Sequence, residues 1–265
     1  MAAIKTGAII PLKAAGRHPQ VAASVVSRDN RRPDCTFPDT MKIQETEAAV
    51  VIDPPNPANA AVIWLHGLGA DGHDFVPIVP ELALPKNHGL RFVFPHAPVR
   101  RVTINNGMPM RAWYDILSLT RMSQQDEAGI RDSENIVHGF IQRQLDAGIS
   151  ARRIVIAGFS QGGAIALHTA LRYPQRLAGL LPLSTYLPLA DKLAAEAAAA
   201  NRDLPILMCH GEYDPVLPYS LGENSCEILR AGGYAVDWRH YPMQHQVCGE
   251  EIEAIGAWLQ ETLAA

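Results

Sequence analysis

The sequence of 265 residues lacks the features that mark metal-binding, nucleic-acid-binding and membrane-spanning proteins. Its histidines show no zinc-type spacing such as His-Glu-x-x-His, which predicts that there is no metal site. Lys and Arg number 23 against 27 Asp and Glu, for a net charge of −4, so no basic excess is available to bind nucleic acid. No apolar run is as long as a membrane span, which argues against stable membrane insertion.

Cysteine is also scarce, with four residues and no Cys-x-x-Cys pair. Cys209 lies within an apolar run that is typical of a buried strand. This usage predicts reduced, buried thiols and a cytoplasmic protein. Cys248 follows a histidine closely and could be mistaken for a nucleophile. No strand-to-helix turn presents it, so a catalytic role for this thiol is not favoured.

Apolar residues, by contrast, make up 48% of the chain, which is ample for a single core. Short β-branched runs alternate with helical stretches, which predicts an α/β fold with a mainly parallel central sheet, helices on both faces and no large lid domain. We expect residues 41–265 to form this one domain. Residues 1–40 have little periodicity. We expect them to be an N-terminal extension that is either flexible or an addition upstream of a true start at Met41.

A Gly-x-Ser-x-Gly motif at residues 158–162 lies between a predicted strand and a predicted helix. Residues 153–157 before it are largely β-branched and apolar, and residues 163–171 after it are apolar nearly all round. Such a turn forces Ser160 into a strained backbone conformation that lifts its Oγ clear of the sheet. The alternative is an ordinary serine in a glycine-rich turn. With the strand and helix in place, Ser160 is the candidate nucleophile.

A serine hydroxyl needs a base to accept its proton and a carboxylate to orient that base. In sheets that carry this turn, the order along the chain is Ser, then Asp or Glu, then His. Asp214 follows the apolar run 204–211, and His245 follows the alternating run 235–241. Both therefore lie at the carboxyl ends of predicted strands, where open α/β sheets bind their ligands. Asp214 and His245 are the candidate acid and base.

Competing residues are less well placed for these two roles. Glu212 comes earlier on its loop, Asp203 precedes its strand, and Asp237 lies inside a strand. His240 also lies inside a strand rather than at its carboxyl end. His168, on the helix after the motif, is interpreted as a partnered interior histidine.

An oxyanion formed at the serine would need two N–H donors. The Gln161 N–H, at the start of the helix, points toward such an oxyanion. Residues 60–65 predict an earlier strand, and the loop 66–72 after it contains three glycines, which let the backbone approach a bound carbonyl. We expect Leu68 on this loop to supply the second N–H. The alternative is a glycine-rich turn without a catalytic role. The presence of Ser160, Asp214 and His245 in the same chain makes this alternative less favoured.

Together these motifs resemble the acyl-protein thioesterase and carboxylesterase branch (the phospholipase/carboxylesterase family) of the α/β-hydrolases. The resemblance extends from about Ala60 to Trp258 in the family's order. It is carried by the segments HGLGADG (66–72), FPHAP (94–98), WYDI (113–116), DEAGI (126–130), GFSQGG (158–163), HG (210–211), DPV (214–216) and YPM with the following histidine (241–245). Gln244 departs from the pattern, because members often carry glycine before that histidine.

The resemblance implies an α/β-hydrolase fold with Ser160, Asp214 and His245 as a catalytic triad. It also implies that the Leu68 and Gln161 amides form the oxyanion hole. The implied activity is hydrolysis of carboxylic esters or thioesters without a metal or other cofactor. We expect a carboxylesterase for short- to medium-chain esters that works through an acyl-enzyme intermediate, with acyl thioesters as additional candidate substrates. The expected partner is a small-molecule ester or thioester substrate rather than nucleic acid, and a homodimer is left open.

The connection 95–119 is long, and long loops in compact domains are often functional. The resemblance places it beside an acyl groove, with five lining residues expected: Trp113, Ile116, Leu117, Leu187 and Val216. Ordinary core packing is the alternative for each of them. Two functional alternatives also stay open. One is a dedicated acyl-protein thioesterase or lysophospholipase, and the other is a hydrolase-like protein that binds a ligand with little turnover, against which the complete triad argues.

Overall fold

The computed structural model of the protein describes residues 41–118 and 124–264. The expectation for residues 1–40 lies outside this part of the chain. Ten strands are described: β1 (Lys42–Glu45), β2 (Ala49–Asp53), β3 (Ala60–Leu65), β4 (Leu90–Pro95), β5 (Val99–Val102), β6 (Met108–Arg111), β7 (Ile154–Phe159), β8 (Gly179–Leu183), β9 (Ile206–Gly211) and β10 (Val236–Tyr241). The described α-helices are α1 (Glu127–Asp146), α2 (Gln161–Arg172), α3 (Leu193–Glu196), α4 (Tyr219–Ala231) and α5 (Gly249–Ala264).

Eight of these strands form one sheet in the order β1-β2-β4-β3-β7-β8-β9-β10. The strands from β4 to β10 in that order are parallel, whereas β1 and β2 pair antiparallel at one edge. Strands β3, β7 and β8, at the centre, are buried along their whole length, as expected for parallel strands covered on both faces. The predicted mainly parallel sheet is confirmed.

Helices cover both faces of the sheet, and alternate residues along each central strand explain why. Ile63 and Leu65 of β3 pack in one core cluster with apolar side chains of α1, α2 and α4. Val62 and Trp64 of the same strand pack in a second cluster with α5 and the 3₁₀ helix Val76–Leu82. Because side chains alternate across a strand, one apolar run supplies both cores.

The long connection after β4 contains a hairpin that periodicity did not indicate. Strands β5 and β6 pair antiparallel within it. At the turn between them, Asn106 and Gly107 have φ values of 56° and 70°. Asn and Gly adopt such left-handed conformations more easily than other residues, so an Asn-Gly pair is a known hairpin signal.

Among the described helices, none has the length and apolar character that crossing a bilayer requires.

Candidate active site

Ser160 occupies the single residue between β7 and α2. Its φ and ψ are 55° and −119°, a region that an L-residue enters only at a cost. The Ser160 N–H donates to the Leu183 carbonyl at 2.9 Å, and its own carbonyl accepts from the Thr185 hydroxyl at 2.7 Å. These two bonds to the end of β8 hold the strained turn in place.

Two glycines make room for this turn. A Cβ on Gly158 would lie 2.3 Å from the Gly162 carbonyl oxygen, and a Cβ on Gly162 would lie 2.4 Å from the Leu65 carbonyl oxygen. Both contacts are with backbone atoms, which cannot move aside as a side chain can. The motif therefore needs glycine at both positions, because the end of β7, the start of α2 and the end of β3 meet there.

The structure brings Ser160, His245 and Asp214 into one continuous chain of hydrogen bonds. The distance from Ser160 Oγ to His245 Nε2 is 2.9 Å, and that from His245 Nδ1 to Asp214 Oδ2 is 2.6 Å. With a proton on Nδ1 donated to the carboxylate, Nε2 carries a lone pair that can accept the Ser160 proton. The side chains of His245 and Asp214 are both buried. The arrangement can therefore generate a nucleophilic oxygen at Ser160.

Asp214 lies on the loop after β9, and its two oxygens are used differently. Oδ2 faces His245, while Oδ1 accepts the N–H groups of Val216 and Leu217, each at 2.8 Å. Burial by itself would raise the pKa of Asp214. The hydrogen bond from His245 and the two amides outweigh burial and hold that pKa below its ordinary value. Asp214 is therefore ionised near neutral pH and can accept the hydrogen bond from His245 Nδ1.

The competing residues have other partners. Glu212 pairs with His240 at 2.7 Å on an exposed part of the surface. Asp237 pairs with Arg239 at 2.7 Å, also exposed. His168 is fully buried, with its Nε2 3.1 Å from Glu134, as the interpretation of a partnered interior histidine expected.

The loop that carries Leu68 is held mainly through His66 and its neighbours. The His66 Nε2 accepts the Ala97 N–H at 3.0 Å, and its Nδ1 lies 2.7 Å from the Gly67 carbonyl oxygen. The Trp113 indole N–H donates to the His66 carbonyl at 2.9 Å. Burial lowers the pKa of His66 to about 4, so this imidazole stays neutral and keeps both bonds.

One of the two candidate oxyanion donors, Gln161, is at a position where a backbone N–H can face a ligand. Gln161 is the first residue of α2, and the first N–H groups of a helix have no partner within the helix. Gly69, the residue after Leu68, donates its N–H to the Arg111 carbonyl at 2.9 Å. That bond fixes the loop one residue beyond Leu68.

Comparison with known proteins identifies the family of this chain. A model of the phospholipase/carboxylesterase family matches residues 46–263. The chain belongs to this family. Acyl-protein thioesterase 1 of Neurospora crassa is 41% identical over 213 residues, which cover 77% of this chain and 87% of that protein. Acyl-protein thioesterase 1 of Gibberella zeae is 37% identical over 225 residues, covering 82% of this chain and 96% of that protein.

Solved structures agree with the sequence comparison. The crystal structure of Zea mays acyl-protein thioesterase 2 superposes with a TM-score of 0.71 at 29% identity, covering 80% of this chain and 97% of that one. The expected α/β-hydrolase fold is therefore confirmed. As a member of the phospholipase/carboxylesterase family, the protein is a serine hydrolase of ester and thioester bonds.

The side chain of Gln161 in this hydrolase makes contacts that sequence patterns did not indicate. The Gln161 side chain is buried, and its Oε1 accepts the Trp113 N–H at 2.9 Å while its Nε2 donates to the Tyr114 carbonyl at 2.7 Å. Tyr114 in turn shares a 2.7 Å hydrogen bond with the hydroxyl of Tyr186. The residue next to Ser160 thus holds the backbone of Trp113 and Tyr114 in place.

The five residues expected to line the groove differ in exposure. Trp113 is 0% exposed and packs against His66. Its indole supports the loop of Leu68 through the hydrogen bond to the His66 carbonyl. Leu187 is buried and Ile116 half-buried, whereas Leu117 and Val216 are 43% and 37% exposed. For all five residues, a place in the groove stays a prediction.

The described cysteines of the hydrolase, Cys209, Cys226 and Cys248, are free thiols. Cys209 and Cys226 are buried, as the sequence predicted for Cys209. Burial raises the pKa of Cys248 to about 11. A thiol needs to ionise to attack a carbonyl, so Cys248 is a poor nucleophile near neutral pH.

Proposed function

We propose that Ser160 is the nucleophile, His245 the general base and Asp214 the residue that orients His245. The observation that carries this proposal is the unbroken chain of hydrogen bonds from Asp214 Oδ2 through His245 to Ser160 Oγ, at 2.6 and 2.9 Å. A strained residue at a strand-to-helix turn supports it further, because strain of this kind is retained where it aims a reactive group.

In this mechanism, Ser160 Oγ attacks the substrate carbonyl carbon while His245 Nε2 takes the hydroxyl proton. The resulting oxyanion accepts the N–H groups of Leu68 and Gln161. His245 then returns the proton to the departing alcohol or thiol, which leaves an acyl group on Ser160. Water, deprotonated by His245, attacks this acyl-enzyme and releases the carboxylic acid. No step requires a metal or cofactor.

We propose short- to medium-chain carboxylic esters, and acyl thioesters, as substrates. Ile116, Leu117, Leu187 and Val216 would line the acyl groove, since all four are apolar and lie on the connections that flank the site. A dedicated acyl-protein thioesterase or lysophospholipase is the second candidate. The names of the Neurospora crassa and Gibberella zeae relatives favour the thioesterase form of it.

We also propose a cytoplasmic location for the protein. Free thiols at Cys209, Cys226 and Cys248 support a reducing, cytoplasmic location.

A homodimer stays a prediction that size-exclusion chromatography with light scattering would test.

Fluorophosphonate labelling followed by peptide mass spectrometry tests the proposed nucleophile. We expect the label on Ser160 in the wild type and no label in Ser160→Ala. Turnover of p-nitrophenyl butyrate by Ser160→Ala should fall on the order of a millionfold, as in other triads. Cys248→Ala is the matched control and should label like the wild type. A Ser160→Ala variant that keeps more than about a tenth of the activity would remove Ser160 from this role.

The choice between substrates needs a separate experiment. Rates with p-nitrophenyl esters of increasing chain length, measured beside a fatty acyl thioester and a palmitoylated peptide, would separate the two candidates. A general esterase should prefer the shorter esters. Preference for the palmitoylated peptide by tenfold or more would favour the dedicated thioesterase.

A further inference from the structure

His210 is a fully buried histidine that the mechanism above does not use. It lies near the end of β9, and its Nε2 is 2.9 Å from the Leu217 carbonyl oxygen. A carbonyl oxygen can only accept, so the Nε2 carries the proton and donates it. This bond links the end of β9 to the far end of the turn that contains Asp214.

The same nitrogen also lies close to the carboxylate of Asp214. Nε2 of His210 lies 3.6 Å from Asp214 Oδ2, the oxygen that accepts from His245 Nδ1 at 2.6 Å. At 3.6 Å the contact is too long for a hydrogen bond. It is a contact between the positive end of an N–H dipole and an anion inside a buried site, where such contacts are little screened.

The turn after Asp214 depends on the bond from His210. The N–H of Leu217 donates to Asp214 Oδ1, and the carbonyl of Leu217 accepts from His210. Leu217 is therefore held from both sides, by the carboxylate and by the imidazole. Without His210, one end of this arrangement is free to move, and the direction of the Asp214 carboxylate is less well fixed.

The pocket around His210 is shaped for a neutral imidazole. The rings of Tyr219 and Trp238 pack against it with centroid distances of 6.2 and 6.0 Å. A Cβ on Gly222 would lie 2.5 Å from His210 Nδ1, so α4 approaches closely only because this residue is glycine. Burial lowers the pKa of His210, which keeps the ring uncharged.

An apolar side chain would suit such an interior better. Within the part of the chain that the structure describes, His210 Nδ1 has no hydrogen-bond partner, and a buried polar atom without a partner is destabilising. The imidazole is thus retained at a cost to stability, and its one donated hydrogen bond is directed at the turn of Asp214.

We propose that His210 is a positioning residue that acts through Asp214 and keeps Asp214 Oδ2 in line with His245 Nδ1. The proposal rests on the proposed function, in which Asp214 orients the general base. Loss of the His210 N–H should therefore lower kcat and leave KM nearly unchanged, because substrate does not contact His210.

Three variants at this position test the proposal. His210→Phe removes the N–H, His210→Asn keeps an amide that is too short to reach Leu217, and His210→Gln places an amide N–H near the original Nε2. We expect Phe and Asn to lower kcat by about ten- to hundredfold with KM within about threefold, as small misplacements of catalytic groups do. We expect Gln to restore most of the loss. If His210→Phe fails to fold, Asn against Gln makes the same comparison.

The control is His240→Phe. His240 is the register partner of His210 on the neighbouring strand β10, but it pairs with the exposed Glu212. Its kcat should stay within about twofold of the wild type, because phenylalanine keeps an aromatic ring beside Tyr219 and the lost bond to Glu212 is exposed.

A double variant shows whether His210 works through Asp214. Asp214→Asn combined with His210→Asn should be no slower than Asp214→Asn alone, because residues that act as a unit are not additive. Multiplied losses, or a folded His210→Asn with wild-type kcat, would overturn the proposal. Failure of the proposed function looks different, since Asp214→Asn by itself would then keep its activity.

Discussion

The side chain of Gln161 offers a sharp test of how the site is supported. We predict that Gln161→Met destabilises the fold while leaving the backbone N–H of residue 161 in place. Methionine has nearly the same length and volume, so little of the effect should come from a cavity. What is lost is a pair of hydrogen bonds to the backbone of Trp113 and Tyr114, at 2.9 and 2.7 Å and both buried.

The magnitude follows from these two groups. A buried backbone N–H or C=O left without a partner costs about 1–3 kcal/mol. Losing both partners should lower the free energy of unfolding by about 2–6 kcal/mol, which in a domain of this size lowers the Tm by roughly 5–20 °C. Turnover should also fall, because the backbone of Trp113 and Tyr114 would no longer be held by the residue next to Ser160.

Urea denaturation followed by tryptophan fluorescence, with thermal melts by circular dichroism, would measure the effect. The control is Gln142→Met, because the Gln142 side chain donates to Asp146 on the exposed face of α1. That variant should change stability by less than about 0.5 kcal/mol. A Gln161→Met protein that melts within about 2 °C of the wild type would refute the reasoning, since it would mean that water satisfies both backbone groups.

Two further changes follow from close packing and from burial. Gly162→Ala should lower kcat about a hundredfold, because its Cβ would lie 2.4 Å from the Leu65 carbonyl oxygen and displace the loop of Leu68. The control is Gly139→Ala, on α1 with open space around it, which should keep the wild-type kcat in the same esterase assay. Burial raises the pKa of Glu251 from 4.5 to about 8. The folded protein therefore keeps this proton while the unfolded chain loses it, and stability falls as pH rises from about 4.5 to about 8. Glu251→Gln should raise the Tm more at pH 8 than at pH 5, and a gain independent of pH would contradict this account.

Much of the candidate site could be predicted from local sequence. The strand-to-helix turn at Ser160 needs glycines at fixed spacing, an apolar strand before it and an apolar helix after it, and all of these lie within about twenty residues. Asp214 and His245 could be assigned because each follows a strand pattern, and the carboxyl ends of parallel strands meet at one edge of the sheet. The structure brings these three residues together as predicted.

The burial of individual side chains is harder to predict from sequence than the local turn. Trp113 lies on a long connection, yet its ring is fully buried against His66. The hairpin of β5 and β6 was missed, although Asn106 and Gly107 carry its turn signal. In both cases the surrounding chain decides the outcome: whether an apolar side chain faces solvent depends on which distant segments cover it.

The sequence by itself determined the class of fold, the order of the chemical groups along the chain and the turn that strains Ser160, because these depend on periodicity and on neighbouring residues. Only the tertiary structure decided which side chains support the site. Gln161 bonds to residues 47 and 48 positions away, and His210 contacts Asp214 through a turn and a buried N–H. Such contacts join groups whose positions are fixed by the packing of strands and helices, and no local pattern records that packing.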